Sequence, residues 1–189
     1  MKNLAIFASG EGTNAERIIA YFKNSTRMRV VLIVYNRPTA GIAKRAERLG
    51  VPCRLLSKED FADFSQLLPL LREFQVDFIV LDGFLLLLPE YLLDAFPQKI
   101  VNIHPSLIPL HSGKGLYGMK VHEDVIRCHD KETGITIHLI DKDYDRGTIL
   151  KEVKCPVLPE DTAEDVAKRV HQLEYENYAP TIEALVLKL

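Results

Sequence analysis

Residues 4–15 read Leu4-Ala5-Ile6-Phe7-Ala8-Ser9-Gly10-Glu11-Gly12-Thr13-Asn14-Ala15. An apolar run stops at a pair of glycines and gives way to helix-forming residues. An unbroken apolar run fits a strand covered on both faces, because a half-exposed strand would alternate. Glycines allow the turn to bring its backbone close to a ligand, and the free N–H groups that open a helix favour an anion. Strand, glycine turn and helix together form the first unit of a doubly wound α/β fold.

The rest of the chain continues the alternation. Strand character falls at 30–35, 51–56, 78–81, 99–103, 135–140 and 149–153. Helical periodicity falls at 15–22, 40–49, 58–74, 89–95, 119–127 and from 162 to the end. Asn14 is the expected N-cap of the first helix and Gly50 the expected C-cap of the second. Pro69 should cap or kink the stretch 58–74, and Pro180 should bend the last helix. The expectation is a Rossmann-like α/β fold: a mostly parallel sheet with helices on both faces. Ligands of such sheets sit outside the carboxyl ends of the strands. The chemistry should therefore lie in the loops after the first, fourth and fifth strands.

Length and composition narrow the classes. The 189 residues are expected to form one domain, 1–189, large enough to hold a core without disulfide or metal. A net charge of -2 gives no general attraction to nucleic acid or to an anionic membrane. Cys53, Cys128 and Cys155 are odd in number and far apart, with no C-x-x-C pair. A reducing cytoplasm is the expected compartment. No apolar run approaches the ~20 residues that span a bilayer, and the N-terminal run is too short for a signal peptide.

Read literally, Gly10, Gly12 and Ala15 match G-x-G-x-x-A, a dinucleotide fingerprint. The acid that usually binds ribose at the end of strand two is replaced by Tyr35-Asn36-Arg37. Arg37 could meet a 2′-phosphate, so an NADP-binding module is one reading and a tight structural turn another. Thr13 and Asn14 add donors that suit a single phosphomonoester.

The fifth strand ends in Val101-Asn102-Ile103-His104-Pro105-Ser106. Residues two apart on a strand face the same way, so Asn102 and His104 should point together into the crevice. An amide donor beside a titratable imidazole can stabilise an oxyanion and move a proton, as acyl transfer to an amine requires. Asp145, in an acidic turn, is the natural carboxylate partner for the imidazole. The alternative is that Asp141, Asp143 and Asp145 are a solvated turn. The segment 105–118, rich in Pro, Gly, Ser and His, is long for a structureless loop and points to function or mobility. No G-x-S-x-G elbow accompanies Ser106. His104, His111 and His122 lack metal-ligand spacing, so no metal is expected. The acidic turn lacks the Gly and Glu of a calcium loop. His122 should lie at the surface or behind the site.

Together, Ser9-Gly10-Glu11-Gly12-Thr13-Asn14, Asp82-Gly83-Phe84, Asn102-Ile103-His104-Pro105-Ser106-Leu107-Ile108-Pro109, Gly134-Ile135-Thr136-Ile137-His138 and Asp145-Arg146-Gly147 cover nearly the whole chain. In these motifs the chain resembles the phosphoribosylglycinamide formyltransferase family of folate-dependent transformylases. The resemblance implies the formyltransferase fold and transfer of a formyl group from 10-formyltetrahydrofolate to the amine of glycinamide ribonucleotide in purine synthesis. It implies that Asn102 and protonated His104 stabilise the tetrahedral oxyanion, that His104 donates the proton, and that Asp145 keeps that histidine protonated and organises water. Gly12, Thr13 and Asn14 would bind the ribonucleotide phosphate, which argues against NADP. His171 and Glu174 in the last helix would contact the same substrate. The folate would lie against Leu85, Leu86, Leu87 and Leu88 and near Asn102, with its pterin at the backbone of Asp141, Lys142, Asp143 and Tyr144. Lys58 matches a basic folate-contacting position.

The chain also departs from the family pattern. Leu85–Leu88 stands where the family often has Met-Arg-Ile-Leu, so Leu86 replaces an arginine at the pocket rim. The stretch 111–118 is longer than the common loop and resembles a Gly-Lys-Gly variant. His171 replaces a frequent Gln. None of these removes a catalytic group. Related enzymes remain as alternatives: formyltransferases acting on methionyl-tRNA or an amino sugar, and 10-formyltetrahydrofolate deformylases. The tRNA enzymes normally carry an added C-terminal domain and a basic surface, and the deformylases an N-terminal regulatory domain, for which 189 residues are expected to leave no room. The oligomeric state stays open between monomer and homodimer.

Overall fold

A computed structural model describes residues 1–113, 115–141 and 147–188. Its strands are β1 (Lys2–Ala8), β2 (Met28–Tyr35), β3 (Cys53–Leu55), β4 (Phe78–Asp82), β5 (Ile100–His104), β6 (Glu132–Leu139) and β7 (Ile149–Pro156). They form one sheet in the order β3-β2-β1-β4-β5-β6-β7. The first five strands pair in parallel, β6 pairs antiparallel with β5, and β7 pairs antiparallel with β6. Strand order reverses between β1 and β4, and such a switch point opens a crevice at the carboxyl ends.

Burial of β1 explains its unbroken apolar sequence. Leu4, Ile6 and Ala8 enter one core cluster, while Ala5 and Phe7 enter the other. The first cluster takes side chains from α1 (Thr13–Phe22), α2 (Ile42–Leu49), α6 (Met119–Arg127) and α7 (Ala163–Val186). The second takes them from α3 (Lys58–Ala62), α4 (Phe64–Glu73) and α5 (Glu90–Ala95). Both faces of the sheet are thus covered, as the sequence predicts.

Two local expectations change. Gly12, not Asn14, occupies the N-cap of α1, in a left-handed conformation with φ 72°. A β-carbon there would lie 2.1 Å from Ile42 Cδ1, so glycine is required both by φ and by space. The helix therefore starts earlier, and Asn14 points inward instead of capping. The stretch 58–74 breaks at Asp63, whose carboxylate accepts from the Ser65 N–H at 2.8 Å and caps α4. Pro69 lies within α4 and does not end it. In the last helix, Thr162 and Asp165 form a reciprocal capping box, and α7 continues through Pro180.

One buried hydroxyl ties the centre of the sheet to α7. Tyr178 Oη donates toward the carbonyl of Leu81 at 2.7 Å and that of Val101 at 3.1 Å. Leu81 is the penultimate residue of β4 and Val101 the second of β5, the two strands whose carboxyl ends begin the site.

Candidate active site

Register sets the frame. Ala8 of β1 pairs with Asp82 of β4, and Leu81 of β4 pairs with Asn102 of β5. The loop 9–12, Asp82 and Asn102 therefore emerge side by side. Along β4 and β5 the odd and even positions separate onto opposite faces. Phe78 and Val80 enter the cluster of α1 and α7, so Asp82 points toward those helices. Val101 and Ile103 also enter that cluster, which leaves Asn102 and His104 on the opposite face, with Leu81, Leu86 and Leu88.

On the first face three polar side chains are buried together. Asp82 Oδ2 accepts from the Ala15 N–H at 2.9 Å, at the start of α1, where the helix dipole favours an anion. Asn14 Nδ2 donates to Glu174 Oε2 at 3.0 Å. Burial pushes the Glu174 carboxyl up to about 7, with Asp82 adding to the rise and Asn14 opposing it. Burial also raises Asp82, against the bonds from Ala15 and Asn14. Among the described residues, the backbone N–H groups of Thr13 and Asn14 meet no acceptor, and Asn14 Oδ1 is buried without a partner. This corner is built to take a polar ligand.

On the second face, Asn102 Nδ2 lies 3.2 Å from His138 Nε2, its cross-strand neighbour. His138 Nδ1 faces the Leu139 carbonyl at 3.1 Å and so carries the proton. Nε2 is then the acceptor and Asn102 the donor, which leaves Asn102 a second amide hydrogen. His104 is 5% exposed, and its Nε2 lies 2.9 Å from the His111 carbonyl. A carbonyl only accepts, so Nε2–H donates. Thr136, paired across from His104, donates to the Ser106 carbonyl at 2.7 Å and accepts from the Ile108 N–H at 3.0 Å. Ser106 Oγ donates to the Leu110 carbonyl at 2.7 Å. The start of the long loop is thereby fastened to β6.

The remaining sequence candidates fall as follows. Leu85 and Leu86 are half-buried, Leu87 is exposed and Leu88 is buried against the second cluster. Lys58 is exposed at the first position of α3. His171 and Glu174 share a face of α7, one turn apart. The His171 ring stands edge-on to His122 at 6.2 Å. Asp141 is exposed. Asp145, Lys142, Asp143 and Tyr144 lie outside the described residues. Of the two places the sequence allows His122, the structure takes the one behind the site: it is buried, because α6 turns this face to the first core, and burial with His171 and His104 nearby pushes it down to about 4. The sequence reading also passed over Asp82 and His138 as site residues. Their signals were a carboxylate ending a buried strand and a position directly across from Asn102.

Beside the glycine loop, Glu11, Gly41, Lys44, Arg45 and Arg48 line an open groove of about 780 Å3. Arg45 and Arg48 both pair with Glu16, which holds that carboxyl below its usual range. Their charge is spent on joining α1 to α2.

A model of the formyl transferase family matches residues 2–182. The chain is 43% identical to a chloroplastic phosphoribosylglycinamide formyltransferase of Vigna unguiculata, over 97% of this chain and 61% of that protein. It therefore spans less than two thirds of that relative. A phosphoribosylglycinamide formyltransferase of Bacillus subtilis is 35% identical, with 98% of this chain and 95% of the relative covered. The crystal structure of glycinamide ribonucleotide transformylase 1 from Geobacillus kaustophilus superposes with a TM-score of 0.88 at 37% identity, covering 98% of each chain.

Proposed function

This chain belongs to the formyl transferase family, and from that premise we propose that it transfers the formyl group of 10-formyltetrahydrofolate to the amine of glycinamide ribonucleotide. The observation that carries the reading is the placement of Asn102 and His104 on one face of the strand ends and of Asn14, Asp82 and Glu174 on the other. Two ligands can then approach one point from opposite sides of the sheet.

The first face fits the ribonucleotide. The N–H groups of Thr13 and Asn14, with the left-handed turn at Gly12, would hold its phosphate. Glu174 would accept from ribose hydroxyls, with His171 one turn earlier on the same helix. The second face fits a folate. Leu86 and Leu88 offer an apolar wall beside Asn102, and Leu85 and Leu87 extend it toward solvent. Asp141, Lys142, Asp143 and Tyr144 would border the pterin, and Lys58 would meet the acidic tail.

When bound, 10-formyltetrahydrofolate supplies an electrophilic formyl carbon. Asn102 would direct its second amide hydrogen at the carbonyl oxygen as negative charge grows there. His104, its Nε2 edge held by the His111 carbonyl, would hold and release a proton at Nδ1. Asp145 would favour the charged imidazole and position water for proton transfer. No metal ion has a part in this scheme. The 189 residues would act as one formyltransferase domain, as monomer or homodimer, in the cytoplasm. Among the described residues no helix is long and apolar enough to cross a membrane.

The test is to incubate purified protein with 10-formyltetrahydrofolate and, separately, glycinamide ribonucleotide, methionyl-tRNA or an amino-sugar nucleotide, following loss of the formyl group. Turnover with the ribonucleotide alone is expected. Turnover only with another amine would reassign the acceptor, and turnover with none would make the reaction a hydrolysis.

A further inference from the structure

Outside the residues already assigned, His111 makes an unusual set of contacts. Its backbone is left-handed, with φ 50°, a region that a residue bearing a side chain rarely adopts. Its side chain is only 9% exposed. Nδ1 lies 2.6 Å from Asp124 Oδ2, and Nε2 lies 2.5 Å from Asp130 Oδ2. Carboxylates accept hydrogen bonds, so each ring nitrogen must bring a proton. The ring is therefore an imidazolium bridging two carboxylates.

The same residue presents its carbonyl to His104 Nε2. We propose that His111 is a positioning residue: its side chain, clamped between Asp124 and Asp130, fixes the carbonyl that sets the orientation of the His104 ring. The inference deepens the formyl-transfer reading and rests on it for its kinetic consequence, though not for its geometry.

Among the described residues, the groups that face the ring are consistent with a charged clamp. Asp124 comes from α6 and is also bound by Arg127, one turn on. Asp130 follows α6, and its N–H donates to the Val125 carbonyl at 3.3 Å. Cys128 stands near Asp124, and His104 approaches from β5 on the carbonyl side. Burial of the His111 ring opposes its charge, but the two carboxylates outweigh that, so its pKa lies above the usual histidine value. Asp124 in turn is held below the usual carboxylate range by His111 and then Arg127. The other end of the segment is fixed separately by Thr136. Together the two attachments leave the His111 carbonyl little freedom to move.

A metal reading of the same cluster is weaker. His111, Asp124 and Cys128 present ligand atoms within 4.8 Å of one another. A cation there would have to replace a proton on the ring and compete with Arg127 for Asp124.

The test uses His111→Phe, which keeps a ring of similar size, with Asp130→Asn as a second variant and Asp130→Glu as the conservative one. The probes are the imidazole nitrogen and proton NMR signals of the protein without substrate, and steady-state kinetics with glycinamide ribonucleotide and 10-formyltetrahydrofolate. Expected are a doubly protonated His111 above the ordinary histidine range and a slowly exchanging His104 Nε2–H signal. Both variants should lose that slow exchange. Their kcat should fall about 10- to 100-fold with little change in KM for the ribonucleotide, the scale of a misplaced catalytic group. Asp130→Glu should restore both. Unchanged His104 signals in folded variants would overturn the inference. So would loss of the wild-type signals on adding a chelator, which would replace the clamp with a metal centre. If the NMR result holds but the wild type does not turn over the ribonucleotide, the positioning stands and the reaction assigned above fails.

Discussion

The Asn14 amide donates to the Glu174 carboxyl group at 3.0 Å, out of water, across 160 positions of sequence. This bond joins the first turn of α1 to the middle of α7. Asp82 lies close enough to raise Glu174 further. Two carboxyl groups thus share a buried corner that a bound sugar hydroxyl or phosphate would complete.

Because Glu174 titrates at about 7 when folded, against 4.5 for the ordinary group, the fold favours its protonated form. The stability this confers is fully present below about pH 4.5 and is lost as pH rises through about 7. Asp82, raised in the same direction, adds to that slope. Thermal unfolding of Glu174→Gln followed over this range should show a flatter dependence of Tm on pH than the wild type. Parallel curves would mean that the carboxyl does not carry the effect.

His104→Ala is expected to lower turnover about 100-fold or more, the range of lost acid–base catalysis. Asn102→Ala should cost about as much, since it removes a donor to the developing oxyanion. Calorimetric binding of the ribonucleotide should survive both changes. Asp145→Asn should depress activity with substrate binding intact. Wild-type turnover in a correctly folded His104→Ala protein would refute the role given to that ring.

Gly12→Ala should destabilise the fold by about 1–3 kcal/mol, because alanine at a left-handed position is strained. It would also meet Ile42 Cδ1 at 2.1 Å. Adding Ile42→Ala should relieve the contact but not the backbone strain, so the double variant should respond less than additively in urea unfolding. Full additivity would show that the two residues do not clash.

Tyr178→Phe removes a hydroxyl that reaches the carbonyls of both Leu81 and Val101. Leaving such groups unpaired costs about 1–3 kcal/mol. Hydrogen exchange in β4 and β5 around these carbonyls should speed up more than exchange in β2. Uniform change across the sheet would place the hydroxyl's contribution elsewhere.

The strand–turn–helix at 4–15 made the α/β class readable because its apolar run is continuous, and only a sheet covered twice tolerates that in each interior strand. Asn102 and His104 were readable because side chains alternate along a strand by covalent geometry. Helix ends were less so. Asn14 looks like a cap by residue type, yet a left-handed Gly12 opened the helix earlier. Pro69 looks like a breaker, yet Asp63 took that role with its own side chain.

The sequence by itself therefore determined the order of elements, the coverage of both faces of the sheet and the pair of polar residues at the end of β5, all of which follow from local periodicity. Only the tertiary structure decided that Asn14 meets Glu174, that His138 orients Asn102, that His122 is buried, and that His111 bridges Asp124 and Asp130 while its carbonyl holds His104. Those relations depend on strand register and helix packing between distant segments. Their energies come from removing charges and hydrogen-bonding groups from water, which no local pattern records.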